Sequence, residues 1–177
     1  MKLTFKIFRS ETKITFPSLW TNSCCSHPLA TFEKEQNTAG DTSGLAVKTA
    51  AQRRILNELG IPPDQCPVEE MTYLTRILYN SPSCDKWGEH ELDYILMLRQ
   101  SPALAELTLT PDPEEVQDTE WVARNHLQEF LRDLEARGAG ITPWFRLCTK
   151  ELLPFWWENL NRLEEISDNK IHNFYGQ

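Results

Sequence analysis

The order of elements along this sequence predicts an α+β or α/β fold, a mixed β-sheet lying between helices. Three observations carry that expectation. Met1–Phe8 alternates apolar and polar residues, as an edge or barrel strand does. Trp87–Leu98 starts with charge and becomes an almost unbroken apolar run, as a buried strand with a polar mouth does. Leu127, Phe130, Leu131 and Leu134 recur at i, i+3, i+4 and i+7, the period of an amphipathic helix.

Taken in order, residues 1–8 form a strand and Arg9–Thr12 a polar turn. Lys13–Phe16 is short and extended before Pro17, and Leu19–Cys25 is a strand ending at Ser26-His27-Pro28. Residues 29–43 are a loop closing on the helix-start signal Asp41-Thr42-Ser43. The helix runs from Leu45 to Leu59, with Gly60 at the position after its end and Pro62-Pro63 forbidding continuation. Met71–Tyr79 is strand-like and residues 81–85 are a loop before the Trp87–Leu98 strand. Thr108–Pro113 is a turn-rich connection, and Thr119–Val122 a short strand. Residues 125–137 are the amphipathic helix, closed by Gly138. Thr142 caps a last helix with Pro143 in its first position; Trp144, Phe145, Trp156 and Trp157 lie on it, and Pro154 kinks or splits it.

The 177 residues suit one domain, 1–177, with about 160–177 as a C-terminal tail. No apolar run approaches 18 residues, so no membrane span is expected. The N-terminus lacks the apolar block of a secretory signal. Five cysteines, two of them adjacent, suit neither a disulfide scaffold nor a spaced zinc pair. A reducing compartment, cytoplasmic or peroxisomal, follows. A net charge of −8 argues against a nucleic-acid surface, yet residues 1–60 carry eight Lys/Arg against five Asp/Glu, a locally basic third suited to a small anion.

Chemistry-bearing residues gather in four groups. In an extended strand Glu89 and Glu91 share one face and His90 takes the other. Two such carboxylates suit a hard divalent cation or a division of labour in which one carries a proton. Tyr79 joins this group. Cys25-Ser26-His27 ends a strand; its cysteine is either a small buried hydrophobe or a thiolate in a polar mouth. Arg9 and Lys13 flank a turn, either solvated or gripping an anion. Arg53, Arg54 and Glu58 lie on the first helix, with Arg54 and Glu58 spaced as an ordinary surface pair. Trp144 is either core or a ring face for a cation.

Arg53, Glu58, Gly60 and Ile61 match the second half of a Nudix motif, while Arg54 and Asn57 stand where a Nudix hydrolase has two further glutamates. Thr15-Phe-Pro…Trp-Thr-Asn-Ser-Cys-Cys-Ser-His-Pro28, Ala50-Ala-Gln-Arg-Arg…Glu-Leu-Gly60, Lys86-Trp-Gly-Glu-His-Glu91 and Thr142-Pro-Trp-Phe145 together closely resemble type I isopentenyl-diphosphate isomerase, from about Arg9 to Trp157. The resemblance implies a Nudix-like fold and a metal-dependent 1,3-proton shift between isopentenyl and dimethylallyl diphosphate. It implies catalytic roles for Cys25, Glu91 and Tyr79. Arg9, Lys13, Ser26 and Trp144 would bind substrate, and His27, Glu58, Glu89 and Glu91 would bind metal. Magnesium is the implied ion, with manganese or zinc as alternatives at His27, Glu89 and Glu91. The protein is expected to be a monomer or weak dimer.

Family members carry a segment before the position of Arg9, with two further histidine ligands, a substrate lysine and early strands. The chain is therefore expected to be a domain lacking its N-terminal strands, with three of five catalytic-metal ligands. Two other readings are an inactive homologue that binds isoprenoid diphosphates and a Nudix-type pyrophosphohydrolase.

Overall fold

A computed structural model describes residues 3–36, 43–99 and 107–174. Its strands form two sheets. In the first, β1 (Leu3–Arg9) lies between β5 (Val116–Ala123) and β2 (Leu19–Asn22), and the short β6 (Gly140–Ile141) runs parallel to β2. In the second, β3 (Met71–Pro82) pairs antiparallel with β4 (Gly88–Leu98) on one side and parallel with β7 (Ile171–Asn173) on the other. Both sheets are thus mixed. The segment read as a tail supplies β7 and a helix, α5 (Leu163–Ile166), whose Leu163 is buried.

Helix α1 (Leu45–Leu59) has the expected bounds. Asp41 and Thr42 lie outside the described residues; Ser43 Oγ accepts the Leu45 N–H, and Gly44 is the N-cap with φ 68°. At the other end Gly60 turns left-handed with φ 65° and donates its N–H to the Leu56 carbonyl. A Cβ at Gly60 would stand 1.9 Å from Thr110 Oγ1 and 2.6 Å from the Thr110 carbonyl oxygen. Strain and clash add, so Gly60→Ala is expected to lower the unfolding free energy by about 2 kcal/mol in urea titrations. A change below half that value would contradict this account.

Three expectations are corrected. Lys13–Phe16 is not extended: Phe16 and Ser18 adopt left-handed φ values of 47° and 54°. Buried Arg9 imposes this turn, its Nε donating to the Phe16 carbonyl (3.0 Å) and its Nη2 to the Thr15 carbonyl (2.9 Å). The strand expected over Leu19–Cys25 stops at Asn22, whose side-chain amide donates to the Cys24 carbonyl and curls the chain out of the sheet. The short strand expected at Thr119–Val122 is the longer β5, because Leu3–Arg9 offers it a full antiparallel partner.

Helix α2 (Leu127–Ala136) turns Leu127 and Leu134 inward, and Phe130 meets Trp20 edge-on at 5.4 Å between centroids. After α3 (Pro143–Leu147) the turns widen over Cys148–Leu152 before α4 (Leu153–Glu158). The widening accommodates Pro154, which lacks an N–H and whose ring would crowd the preceding turn. Pro154 therefore splits the last helix. The part of the core beneath the site joins Phe16, Ile77, Tyr79, Ile141, Trp144 and Phe145.

Candidate active site

Pairing of β3 with β4 builds the acidic half. Tyr79 is directly opposite Glu91, and Ser81 opposite Glu89, so the three functional side chains share a face. Burial along β4 alternates as expected, with Glu89 and Glu91 half-buried and His90 exposed. The Tyr79 hydroxyl lies 2.7 Å from Glu89 Oε2 and 3.2 Å from Glu91 Oε2. One phenolic proton thus serves two carboxylates. Thr15 donates its hydroxyl to the other oxygen of Glu89, and His27 Nε2 lies 2.9 Å from Glu91 Oε1. The His27 hydrogen bond holds the Glu91 carboxyl below its ordinary range, and Glu91 in turn raises the imidazole.

Asp93 follows on the same face. Burial, with Glu91 and Glu89 as like-charged neighbours, pushes it up to about 7. Sequence reasoning passed over Asp93, although alternation from Glu89 and Glu91 reaches it, because the apolar run begins around it. Cys25 packs against the aromatic core under the site. Burial first, then Asp93, Cys24 and Glu91, drive its pKa well up. Burial also raises the Tyr79 phenol.

Trp144 packs beside the acidic half. It is 2% exposed, 5.7 Å from the Tyr79 ring and edge-on to Phe16 at 5.3 Å. Its Nε1 donates to Asn22 Oδ1 (2.9 Å), so Asn22 fixes both the indole and the Cys24 backbone. The cation over this ring is Arg9, with its guanidinium carbon 5.6 Å from the centroid. Ser26 is half-buried, its hydroxyl 3.4 Å from the His27 carbonyl oxygen.

A latch sets the loop that carries Cys25, Ser26 and His27. Arg53 grips the buried Glu35 through Nε–Oε1 (2.5 Å) and Nη2–Oε2 (3.0 Å), and Nη2 also donates to the His27 carbonyl (3.2 Å). Glu35 Oε2 further accepts the Leu29 N–H (2.8 Å). The Arg53 hydrogen bond keeps Glu35 below its ordinary range.

The basic half lies on α1 and the turns before β2 and β5. Glu58 is 3% exposed, so its pairing with Arg54 is not the surface bridge that the spacing suggests. Lys13 Nζ lies 3.7 Å from Glu58 Oε1 and contacts Glu115, whose Oε2 is 3.3 Å from Arg54 Nη2. Burial lowers the Lys13 ammonium, partly offset by Glu58. Burial pushes Cys24 up to about 12, with Glu58 next among the causes, so adjacent cysteines sense opposite halves of the site.

Two ligands of one octahedral cation at about 2.1 Å stand about 3 Å apart. The His27–Glu91 separation has that spacing, and an imidazole with two carboxylates has suitable donor chemistry. Among the described residues, no group of three or more His, Cys, Asp and Glu is gathered to hold an ion. Glu58 faces two cationic side chains, which makes it the poorer fit.

A family model described as the NUDIX domain matches residues 9–145. The fold and the helix carrying Arg53 and Glu58 thus define a NUDIX protein. The chain is 45% identical over 170 residues to isopentenyl-diphosphate Delta-isomerase II of Clarkia xantiana, covering 93% of this chain and 56% of that protein. It is 45% identical over 166 residues to isopentenyl-diphosphate Delta-isomerase 1 of Mesocricetus auratus, covering 93% and 69%. A chloroplastic isomerase 1 of Cannabis sativa is 44% identical over 169 residues. The chain belongs to the isopentenyl-diphosphate Delta-isomerase family, and it spans 56% of the length of the Clarkia xantiana and Cannabis sativa relatives. No helix among the described residues is long and apolar enough to cross a membrane.

Proposed function

We propose that this chain interconverts isopentenyl and dimethylallyl diphosphate by a 1,3-proton shift. The observation that carries the reading is the set of proton-bearing groups converging beneath Trp144: Glu91 with its Tyr79 and His27 partners, and the Cys25 thiol under the influence of Asp93 and Glu91. Protonating an unactivated alkene creates a tertiary carbocation, which needs an acid, a dry site and a soft wall. The indole face of Trp144 suits that wall, an effect of about 2 kcal/mol when desolvated.

In the forward direction Glu91, assisted by Tyr79, delivers a proton to the terminal alkene carbon. Cys25 removes one from the carbon next to the diphosphate-bearing carbon. The reverse reaction exchanges these roles. Burial and neighbouring carboxylates raise the Cys25 thiol while the His27 hydrogen bond lowers Glu91, so the forward direction calls for a shift of both. Lys13, Arg9 and Ser26 hold the diphosphate. His27, Glu89 and Glu91 would hold a divalent ion, magnesium first, with manganese or zinc as alternatives; Glu58, paired with Lys13 and Arg54, fits a further magnesium ion less well. When bound, the ion offsets the negative charge of the carboxylates and sharpens the acid. Five free cysteines fit a reducing compartment, cytosol or peroxisome.

The test is conversion of labelled isopentenyl diphosphate by the purified chain with magnesium in deuterated water, beside Cys25→Ala. Dimethylallyl product carrying deuterium in a methyl group, lost in the variant, is the expected result. Phosphate release without isomerisation would assign a hydrolase. No conversion with magnesium, manganese or zinc would overturn the proposal.

A further inference from the structure

Lys13, proposed above to hold the diphosphate, and Arg54 share one acceptor that no sequence motif announces. The Lys13 ammonium contacts Oε2 of Glu115, and the same oxygen lies 3.3 Å from Arg54 Nη2. Glu58 meets both cations too, but the two carboxylates differ in kind. The Glu58 side chain is 4% exposed and comes from the helix that carries Arg54. That of Glu115 is 27% exposed and comes from the turn leading into β5. The backbone of this turn is fixed, with Ser10 N–H donating to the Glu115 carbonyl (3.0 Å) and Glu115 N–H to that of Asp112 (3.0 Å). The root of the side chain is therefore held, and displacing its carboxylate needs only rotation of the side chain itself. Arg54 Nε is buried and bonds to no described group, so a donor remains for incoming oxygens.

Charge makes the same point. Two carboxylates on two cations leave the Lys13–Arg54 pair with no surplus, whereas capture of a multiply charged diphosphate calls for one. We propose that Glu115 is a stand-in anion: its carboxylate occupies Lys13 and Arg54 in the ligand-free protein and is displaced by the diphosphate. The proposal rests on the reading that Lys13 binds diphosphate. Displacement is cheap because partly exposed ion pairs are weak. A diphosphate offers more charge and more oxygens than the carboxylate it replaces, and guanidinium groups favour such planar, multiple contacts. A single-phosphate ligand gains less over Glu115, so the residue also sets a threshold favouring diphosphates.

The test is calorimetric titration of the full chain with inorganic pyrophosphate and, separately, inorganic phosphate, comparing Glu115→Gln and Lys13→Ala with the parent. Glu115→Gln is expected to bind pyrophosphate roughly tenfold more tightly. Discrimination against phosphate should narrow, and KM for isopentenyl diphosphate should fall, the effect lying on KM rather than kcat. Glu115→Asp, shorter by one methylene, should give a partial gain, which guards against a folding defect in one variant. Unchanged or weaker pyrophosphate binding in Glu115→Gln, with Lys13→Ala still weakening it, overturns the stand-in role and leaves the diphosphate reading intact. Pyrophosphate binding unaffected by Lys13→Ala overturns both.

Discussion

Glu91→Gln is expected to slow turnover of isopentenyl diphosphate about a thousandfold, within the range that general acid–base catalysis contributes. Glutamine keeps the shape but neither donates an acidic proton nor carries charge. Two partners lose their match at once: His27 no longer faces a carboxylate at 2.9 Å, and the Tyr79 proton has Glu89 as its only charged acceptor. Removing the charge also relieves Asp93, so the fold should not suffer. Steady-state kinetics with a parallel melting curve separates the two effects. A loss below tenfold in a fully folded variant would remove Glu91 from the chemistry.

Arg53→Ala is expected to cost about 3 kcal/mol of stability, because it strands the carboxylate of Glu35, whose side chain is 1% exposed. The loop carrying His27 should also lose the hydrogen bond from Arg53 to its carbonyl, so turnover falls with stability. The pH dependence gives an independent check. Glu35 has a folded pKa below its ordinary 4.5, so its contribution is present above that value. It is lost as pH falls through the folded pKa. Urea unfolding at pH 7 and near pH 4 should therefore show a smaller acid loss in Arg53→Ala than in the parent. Equal losses would show that the latch does not govern this titration.

What the sequence made legible were features whose causes are local. The first helix is bounded by Gly60 and Pro62-Pro63 within a few residues of its end, and the Glu89/Glu91 face follows from strand alternation alone. Tyr79 and His27 stood out among the chemistry-bearing groups, their roles being implied by motif resemblance, and the structure brings both onto those carboxylates. The features missed have distant causes. Ile14, Thr15 and Phe16 favour an extended chain, but Arg9 binds two of their carbonyls and bends them. Glu115 reaches Lys13 across 102 positions, and Glu35 meets Arg53 across 18, separations at which spacing carries no signal. Asp93 was within reach of the alternation argument, yet it sits where charge gives way to the apolar run and was passed over.

Burial and neighbouring carboxylates drive the pKa of the Cys25 thiol well up. Oxidants and electrophiles attack the thiolate, and a cysteine held as a thiol is correspondingly inert. The electrostatics that raise Cys25 thus favour the thiol, the form less prone to sulfenic and sulfinic acid formation.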